Sequence, residues 1–163
     1  MSNCCSTSPA TATPPSSAPA RMACPRCGRT GKAVSLLTLK HQVKPSHLAA
    51  VEAGRFLFCG SSECPVVYFN ATGLVLTTAD VRQRVTQKER DDPPLCYCFG
   101  FTGNMVRDEL SATGGCTVKD RIAAEMKADR CACEIRNPQG SCCLGNVQAA
   151  IRELRAGILP SAE

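Results

Sequence analysis

Cysteine is the residue type in this chain that is best suited to carry out chemistry. Thirteen of the 163 residues are cysteines, whereas the chain has two histidines and no tryptophan. An odd number of cysteines excludes a framework in which every thiol is paired, and clustered thiols in a reducing compartment act as metal ligands. We therefore expect metal centres whose ligands are mainly thiolates.

The first group of cysteines has the spacing of a zinc site. Cys24 and Cys27 form a C-x2-C pair, and Cys59 and Cys64 follow after 31 intervening residues as a C-x4-C pair. Two such pairs, each on a turn whose backbone N–H groups face the sulfurs, close a tetrahedral shell around zinc. A closed shell leaves no position for a substrate, so the predicted zinc is structural and stabilises the fold. His41 and His47 are alternatives to one of these cysteines.

Residues 22–27 also fit M-x-C-x-x-C, the loop of small copper-binding domains, in which two thiolates hold Cu(I). Those domains place a strand directly before the loop. Here the loop follows a segment rich in Pro and Ser. This pattern favours zinc over copper at Cys24 and Cys27.

A second group of cysteines has the composition of an iron–sulfur site. A [2Fe–2S] cluster needs four thiolates, two on each iron. Cys96 and Cys98 supply a C-x-C pair. Four later cysteines compete for the other two positions: Cys131, Cys133, Cys142 and Cys143.

The positive charge of the chain is local. Residues 21–70 contain seven Lys and Arg against two Glu, which equals the net charge of +5 of the whole chain. Such a segment is typical of nucleic-acid binding, but its basic residues are not interleaved with the aromatic residues on which bases stack. Cations that offset the negative charge of a thiolate site are the simpler explanation. The sequence shows no combination of nucleophile, base and orienting group, so we predict that the protein is not an enzyme.

Composition divides the chain into four segments and predicts an α+β fold. Residues 1–20 consist largely of Pro, Ser, Thr and Ala and are predicted to be a disordered tail. We predict a small β-rich zinc-binding unit over residues 21–86, a charged, Pro-containing linker over 87–94, and a small helical [2Fe–2S] unit over 95–160. The chain shows no secretory signal and no membrane-spanning run, so we expect a cytoplasmic protein without membrane insertion.

Apolar spacing predicts the elements that position these thiols. We expect strands over Val34–Leu39 and Phe56–Phe58 and a hairpin of residues 66–69 and 74–77. Short helices are expected over residues 45–53 and 78–85. In the second unit, apolar residues recur every three or four positions in three segments, each of which predicts a helix: residues 106–110, 118–126 and 144–154.

Longer motifs resemble a known family. C-Y-C-F-G-F-T and C-E-I-R-N-P-Q-G-S-C-C resemble the bacterioferritin-associated-ferredoxin type of [2Fe–2S] domain, in the variant found in the N-terminal part of iron–sulfur copper chaperones of the CopZ family. C-P-R-C-G, F-L-F-C-G-S-S-E-C-P-V-V-Y-F-N and the linker K-E-R-D-D-P-P resemble the zinc-binding part of the same family. The resemblance places the cluster on Cys96, Cys98, Cys133 and Cys143, with Cys142 as the alternative to its neighbour. Cys116 and Cys131 match no motif position and are expected to be free thiols.

The resemblance implies a metallochaperone or metal-homeostasis protein that handles copper, with one-electron redox chemistry at the cluster and a metal-transporting or redox protein as partner. Full-length family members continue into a copper-transfer domain, whereas this chain ends at Glu163 after one helix. Cys4 and Cys5 offer a further pair for a soft ion such as Cu(I) or Hg(II). The alternatives are a ferredoxin-like electron carrier without cargo metal and a zinc-ribbon nucleic-acid binder.

Overall fold

The first half of the chain is built on a four-stranded antiparallel sheet. In the computed structural model, which describes residues 22–51 and 54–157, the strand order is β1-β2-β3-β4. The strands are β1 (Lys32–Val34), β2 (Phe56–Phe58), β3 (Val66–Asn70) and β4 (Val75–Thr77). The predicted strand at Phe56–Phe58 and the predicted hairpin are confirmed.

The predicted strand Val34–Leu39 is wrong beyond its first residue. Helix α1 (Leu36–Gln42) begins directly after β1 because the Ser35 hydroxyl accepts a hydrogen bond from the backbone N–H of Thr38 and caps the helix. The predicted helix at 45–53 is a 3-10 helix over Pro45–Ala50. The predicted helix at 78–85 is absent, and this segment bonds to the end of α1, with the N–H of Arg82 donating to the carbonyl of Gln42.

The second half of the chain contains the three predicted helices, α2 (Gly103–Thr113), α3 (Val118–Lys127) and α5 (Leu144–Arg155). Three short elements were not predicted: strands β5 (Pro94–Cys96) and β6 (Phe101–Thr102), which pair with each other, and helix α4 (Cys133–Arg136). Each has two to four residues, too few to produce a periodic pattern. The fold is α+β, as predicted.

Three apolar clusters form the interior of the described residues. The side chains of β2 alternate between the two faces of the sheet, as strand geometry requires. Phe56 and Phe58 pack with Leu39 of α1 on one face, and Leu57 packs with Phe69 and three of the cysteines on the other. The third cluster lies entirely within residues 95–154 and joins α2, α3 and α5. The division of the chain into the predicted segments stays a prediction. The predicted disordered tail, residues 1–20, lies outside the described residues.

Residues 87–94 contact both halves of the chain. The Lys88 ammonium donates to the carbonyl of Ser61 at 2.5 Å, and Arg90 forms an ion pair with Glu63 at 3.0 Å. Gln87 donates to the side chain of Gln139 at 3.0 Å. None of the helices in the described part of the chain is long and apolar enough to cross a lipid bilayer.

Candidate metal centres

The structure brings the four cysteines of the first group together. The Sγ atoms of Cys24, Cys27, Cys59 and Cys64 all lie within 4.8 Å of one another, and we call this set the four-thiol group. Sγ of Cys24 is 3.9 Å from that of Cys64, and Sγ of Cys27 is 3.7 Å from that of Cys59. Four thiolates bound to one ion at about 2.3 Å in tetrahedral geometry are separated by about 3.8 Å. The four-thiol group therefore fits zinc.

Two tight turns position the four-thiol group. In the first, the N–H of Gly28 bonds the carbonyl of Cys24 at 2.9 Å, and the positive φ of Gly28 (73°) lets the chain reverse directly after Cys27. The second turn joins the end of β2 to the start of β3 and contains Cys59 and Cys64. Backbone N–H groups two residues after three of the cysteines donate to their thiols: those of Arg29, Ser61 and Val66.

The thiols of this group differ in their acidity. A hydrogen bond from the N–H of Arg29 lowers the pKa of the exposed Cys27 to about 7. Burial raises the pKa of Cys59 to about 12 and that of Cys64 above its usual range. All four must be thiolates to bind zinc, so metal binding releases protons.

One cation faces all four thiols. The half-buried Lys88 interacts electrostatically with each member of the four-thiol group, and burial lowers the pKa of its ammonium group. A positive charge at this position offsets part of the negative charge of a zinc–tetrathiolate site. Lys88 lies outside the basic segment 21–70, so the sequence interpretation identified the need for a cation but not this residue.

The second group of cysteines forms two pairs. Sγ of Cys98 lies 3.8 Å from Sγ of Cys133, and the thiols of Cys96 and Cys143 are hydrogen-bonded to each other. Among the described residues, only the four-thiol group brings three or more ligand atoms within 4.8 Å of one another. The second group is therefore an arrangement of two separate pairs, which we call the paired thiols.

Short elements position the paired thiols. Cys96 ends β5, and a turn closed by the N–H of Gly100 bonding the carbonyl of Cys96 at 2.9 Å presents Cys98. Cys133 begins α4, and Cys143 directly precedes α5. The N–H of Ala132 donates to Sγ of Cys98 at 3.3 Å.

The electrostatics of the paired thiols follow from their contacts. The hydrogen bond from Cys143 lowers the pKa of Cys96 to about 6 and raises the pKa of Cys143 itself. Burial raises the pKa of Cys133 to about 12. The thiols of Cys131 and Cys142 also interact electrostatically with Cys133, so six thiols surround this region.

The first half of the chain binds the segment that connects Cys133 to Cys143. We call residues 134–141 the ligand loop. The Thr38 hydroxyl donates to the carbonyl of Glu134 at 2.7 Å, and the fully buried Gln42 donates to the carbonyls of Ile135 and Arg136 at 2.8 and 3.1 Å. The buried Tyr68 hydroxyl donates to the carbonyl of Pro138 at 2.6 Å.

Comparison with known proteins identifies the family. Residues 21–82 match zf_CopZ, a family described as "Zinc binding domain". The chain is 34% identical over 124 residues to the copper chaperone CopZ of Archaeoglobus fulgidus, a match that covers 75% of this chain. The X-ray structure of the N-terminal domain of that CopZ superposes with a TM-score of 0.66 at 32% identity, covering 78% of this chain and 96% of that domain. This chain belongs to the CopZ N-terminal domain family. It spans 58% of the length of the Archaeoglobus CopZ.

Several cysteines and both histidines lie outside the two thiol groups of this CopZ-type domain. Cys142 is exposed, Cys131 is half-buried, and Cys116 donates to the carboxylate of Glu109 at 3.7 Å. Nε2 of His47 lies 3.2 Å from the carboxylate of Asp80, and His41 is exposed. Cys4 and Cys5 lie outside the described residues. The residues that sequence reasoning missed, Gln42, Tyr68 and Lys88, are polar side chains whose partners lie 27 or more residues away along the chain.

Proposed function

We propose that this protein is a metallochaperone or metal-homeostasis protein that handles copper and contains structural zinc and a redox-active [2Fe–2S] cluster. The observation that supports it most directly is the presence of two thiol centres of different geometry in one chain of the CopZ family. One centre is a tetrahedral set, and the other is a set of two pairs.

Zinc is assigned to Cys24, Cys27, Cys59 and Cys64. The four sulfur atoms complete the coordination shell of the ion, so no position remains for a substrate. The zinc holds the turn after Met22 against the β2–β3 turn, and in this way it covers the face of the sheet on which Leu57 and Phe69 lie. Its binding energy contributes to the stability of the fold.

The cluster is assigned to Cys96, Cys98, Cys133 and Cys143. Two thiolates on the same tetrahedral iron are separated by nearly the distance observed between Cys98 and Cys133, and a binuclear cluster requires two such pairs at a distance from each other. The pairing also favours Cys143 over Cys142, because Cys143 is buried against Cys96 while Cys142 is exposed. A bound [2Fe–2S] cluster, once reduced by a redox partner protein, would supply one electron and return to its oxidised state, and this electron would reduce Cu(II) to Cu(I), the ion that thiolates prefer.

Copper is proposed as the cargo for two reasons. The Archaeoglobus relative, whose match covers 75% of this chain, is a copper chaperone, and five thiols remain beyond the eight used by the two centres. The protein is proposed to act in the cytoplasm, without catalysing a reaction of its own, and to transfer metal or electrons to a metal-transporting or redox protein. The second candidate is a ferredoxin-like electron carrier without cargo metal, which the paired thiols alone would support.

Spectroscopy and metal analysis of anaerobically purified protein test the two metal assignments. We expect one zinc and two iron atoms per chain, visible absorption in the oxidised state and an electron paramagnetic resonance signal after reduction. Cys59→Ser should lose the zinc. Zinc that remains stoichiometric in Cys59→Ser would contradict the zinc assignment.

A matched pair of neighbouring substitutions tests the choice of cluster ligand. Cys143→Ser should abolish or shift the cluster spectrum, whereas Cys142→Ser and Cys116→Ser should leave it unchanged. Loss of the cluster in Cys142→Ser with retention in Cys143→Ser would reverse the assignment. If the protein contains a cluster but binds no Cu(I) above the background of a competing chelator, the electron-carrier function is the correct one.

A further inference from the structure

We infer that Cys142 and Met126 form a binding site for one Cu(I) ion next to the paired thiols. The inference rests on the proposed copper-handling function and names the atoms that receive the cargo. Sγ of Cys142 lies 3.9 Å from Sδ of Met126. Cys142 is exposed on the loop before α5, and Met126 lies in the last turn of α3.

The separation of the two sulfur atoms fits coordination of both atoms to a single ion. Two sulfur atoms bound at about 2.3 Å to one ion in trigonal geometry are about 4.0 Å apart. The observed 3.9 Å therefore allows both atoms to bind the same ion without a change in the backbone. Met126 packs against the core of the second half of the chain, which holds its thioether in place.

The paired thiols fix the segment that carries Cys142. Cys142 is adjacent to Cys143, and Cys143 directly precedes α5.

The donor set selects a soft ion. A thiolate and a thioether favour Cu(I), whereas a thioether is a poor ligand for hard cations such as Mg²⁺ and Ca²⁺. The two histidines, which would suit Zn²⁺ or Cu(II), lie on the first half of the chain, where His47 contacts Asp80. Exposure of Cys142 leaves one side of the site open to a protein that delivers or receives the ion.

Cu(I) titration against the chelator bicinchoninate tests this site. The starting protein has intact zinc and iron centres and carries Cys4→Ser and Cys5→Ser, so that the thiols of the N-terminal segment do not compete. We expect it to bind one Cu(I) per chain. Cys142→Ser and Met126→Leu should each weaken the affinity by about tenfold or more, because even changes outside the ligand shell reduce metal affinity about 10- to 100-fold.

Matched variants separate the site from general effects. Met105→Leu replaces a methionine that is 51% exposed on α2, and Cys116→Ser removes a thiol outside both centres, so both should bind Cu(I) as the starting protein does. Unchanged affinity in Met126→Leu, or loss of the cluster spectrum in Cys142→Ser, would overturn the inference. The cluster spectrum is recorded before copper is added, so failure of the iron–sulfur assignment would be seen independently of the copper titration.

Discussion

At the residue scale, two cysteine thiols whose Sγ atoms lie only 3.7 Å apart differ in acidity. The Cys27 thiol is exposed and accepts the N–H of Arg29, so its pKa falls to about 7, whereas the fully buried Cys59 has a pKa of about 12. In the metal-free group the Cys27 thiol therefore loses its proton more readily than the Cys59 thiol, and binding of a metal releases the remaining protons.

Tyr68 illustrates a different type of constraint on a single residue. Its ring is buried in the core on one face of the sheet, while its hydroxyl donates to the carbonyl of Pro138 in the ligand loop. The burial raises the pKa of the phenol above its usual value of about 10. Folding therefore favours the protonated form of this residue.

Alkaline titration checks the environment of Tyr68. Tyr97 is the only other tyrosine, so a Tyr97→Phe protein reports Tyr68 alone by its phenolate absorbance near 295 nm. We expect no ionisation near pH 10 in the folded state. The unfolded tyrosine ionises at about pH 10, so the stability from this residue is complete below that pH and decreases as the pH rises above it. The urea-unfolded protein serves as the control and should titrate normally, and the same midpoint in both states would contradict the prediction.

At the element scale, the cysteine spacing predicted more than the apolar pattern did. The C-x2-C and C-x4-C pairs were brought together as expected, because each pair lies within one turn. The predicted strand at Val34–Leu39 failed because the Ser35 cap overrides the alternation of apolar residues, although a serine directly before an apolar segment is itself a helix-start signal. Strands β5 and β6 and helix α4 could not be predicted, since segments of two to four residues are too short to show a periodic apolar pattern.

Helix α1 connects the two halves of the chain through Gln42. Its amide nitrogen donates to the carbonyls of Ile135 and Arg136, and its amide oxygen accepts from Gln83 at 2.6 Å. Gln83 also donates to the carbonyl of Arg136, so only the carbonyl of Ile135 depends on Gln42 alone. The hydrogen bonds of Gln42 therefore link α1 to the ligand loop.

Gln42→Leu should lower the free energy of unfolding by about 1–3 kcal/mol, because it removes the hydrogen bonds of a fully buried side chain and leaves the partly buried carbonyl of Ile135 without this donor. Chemical denaturation of the zinc-loaded protein measures the change. Leu37→Ala is the matched control, because Leu37 lies on the same helix and is 53% exposed, and it should change the stability by no more than about 0.5 kcal/mol. Equal effects of the two substitutions would show that the link between α1 and the ligand loop contributes nothing.

The turn before β1 depends on a glycine for space. A Cβ atom at Gly31 would lie 2.7 Å from Cβ of Leu57 and 2.6 Å from the ring of Phe69. Gly31→Ala should therefore destabilise the protein by about 1–3 kcal/mol through overpacking. Gly145→Ala is the control, because a Cβ there meets no atom within 4 Å and alanine favours the helix, so stability should stay the same or rise by up to about 1 kcal/mol. Thermal unfolding of both variants measures the difference, and equal melting temperatures would contradict the prediction.

At the scale of the whole molecule, the two proposed metal centres are parts of one hydrogen-bonded structure. The first half of the chain supplies four donors to the ligand loop from α1 and its neighbours: Thr38, Gln42, Tyr68 and Gln83. Lys32 of β1 adds a contact to the hydroxyl of Ser141 at 2.6 Å. Because the ligand loop leads from Cys133 toward Cys143, we expect zinc in the first half of the chain to support the geometry of the paired thiols in the second.

This coupling predicts that removal of zinc destabilises the proposed iron–sulfur centre. Treatment with a zinc-selective chelator should shorten the lifetime of the [2Fe–2S] absorption in air several-fold, because the donors that hold the ligand loop lose their fixed positions when the four-thiol group opens. Iron and zinc contents are measured in the same samples, so that loss of the two metals can be ordered in time. Zinc should leave first, and loss of the cluster should follow.

Two controls distinguish this coupling from direct attack on the cluster. Adding zinc back before the cluster decays should restore its lifetime, which a chelator that had extracted iron would not allow. Cys116→Ser, which changes a thiol outside both centres, should lose zinc and cluster at the same rates as the parent protein. A cluster that keeps its full lifetime in zinc-free protein would show that the second half of the chain holds its four thiols without support from the first, despite the hydrogen bonds between them.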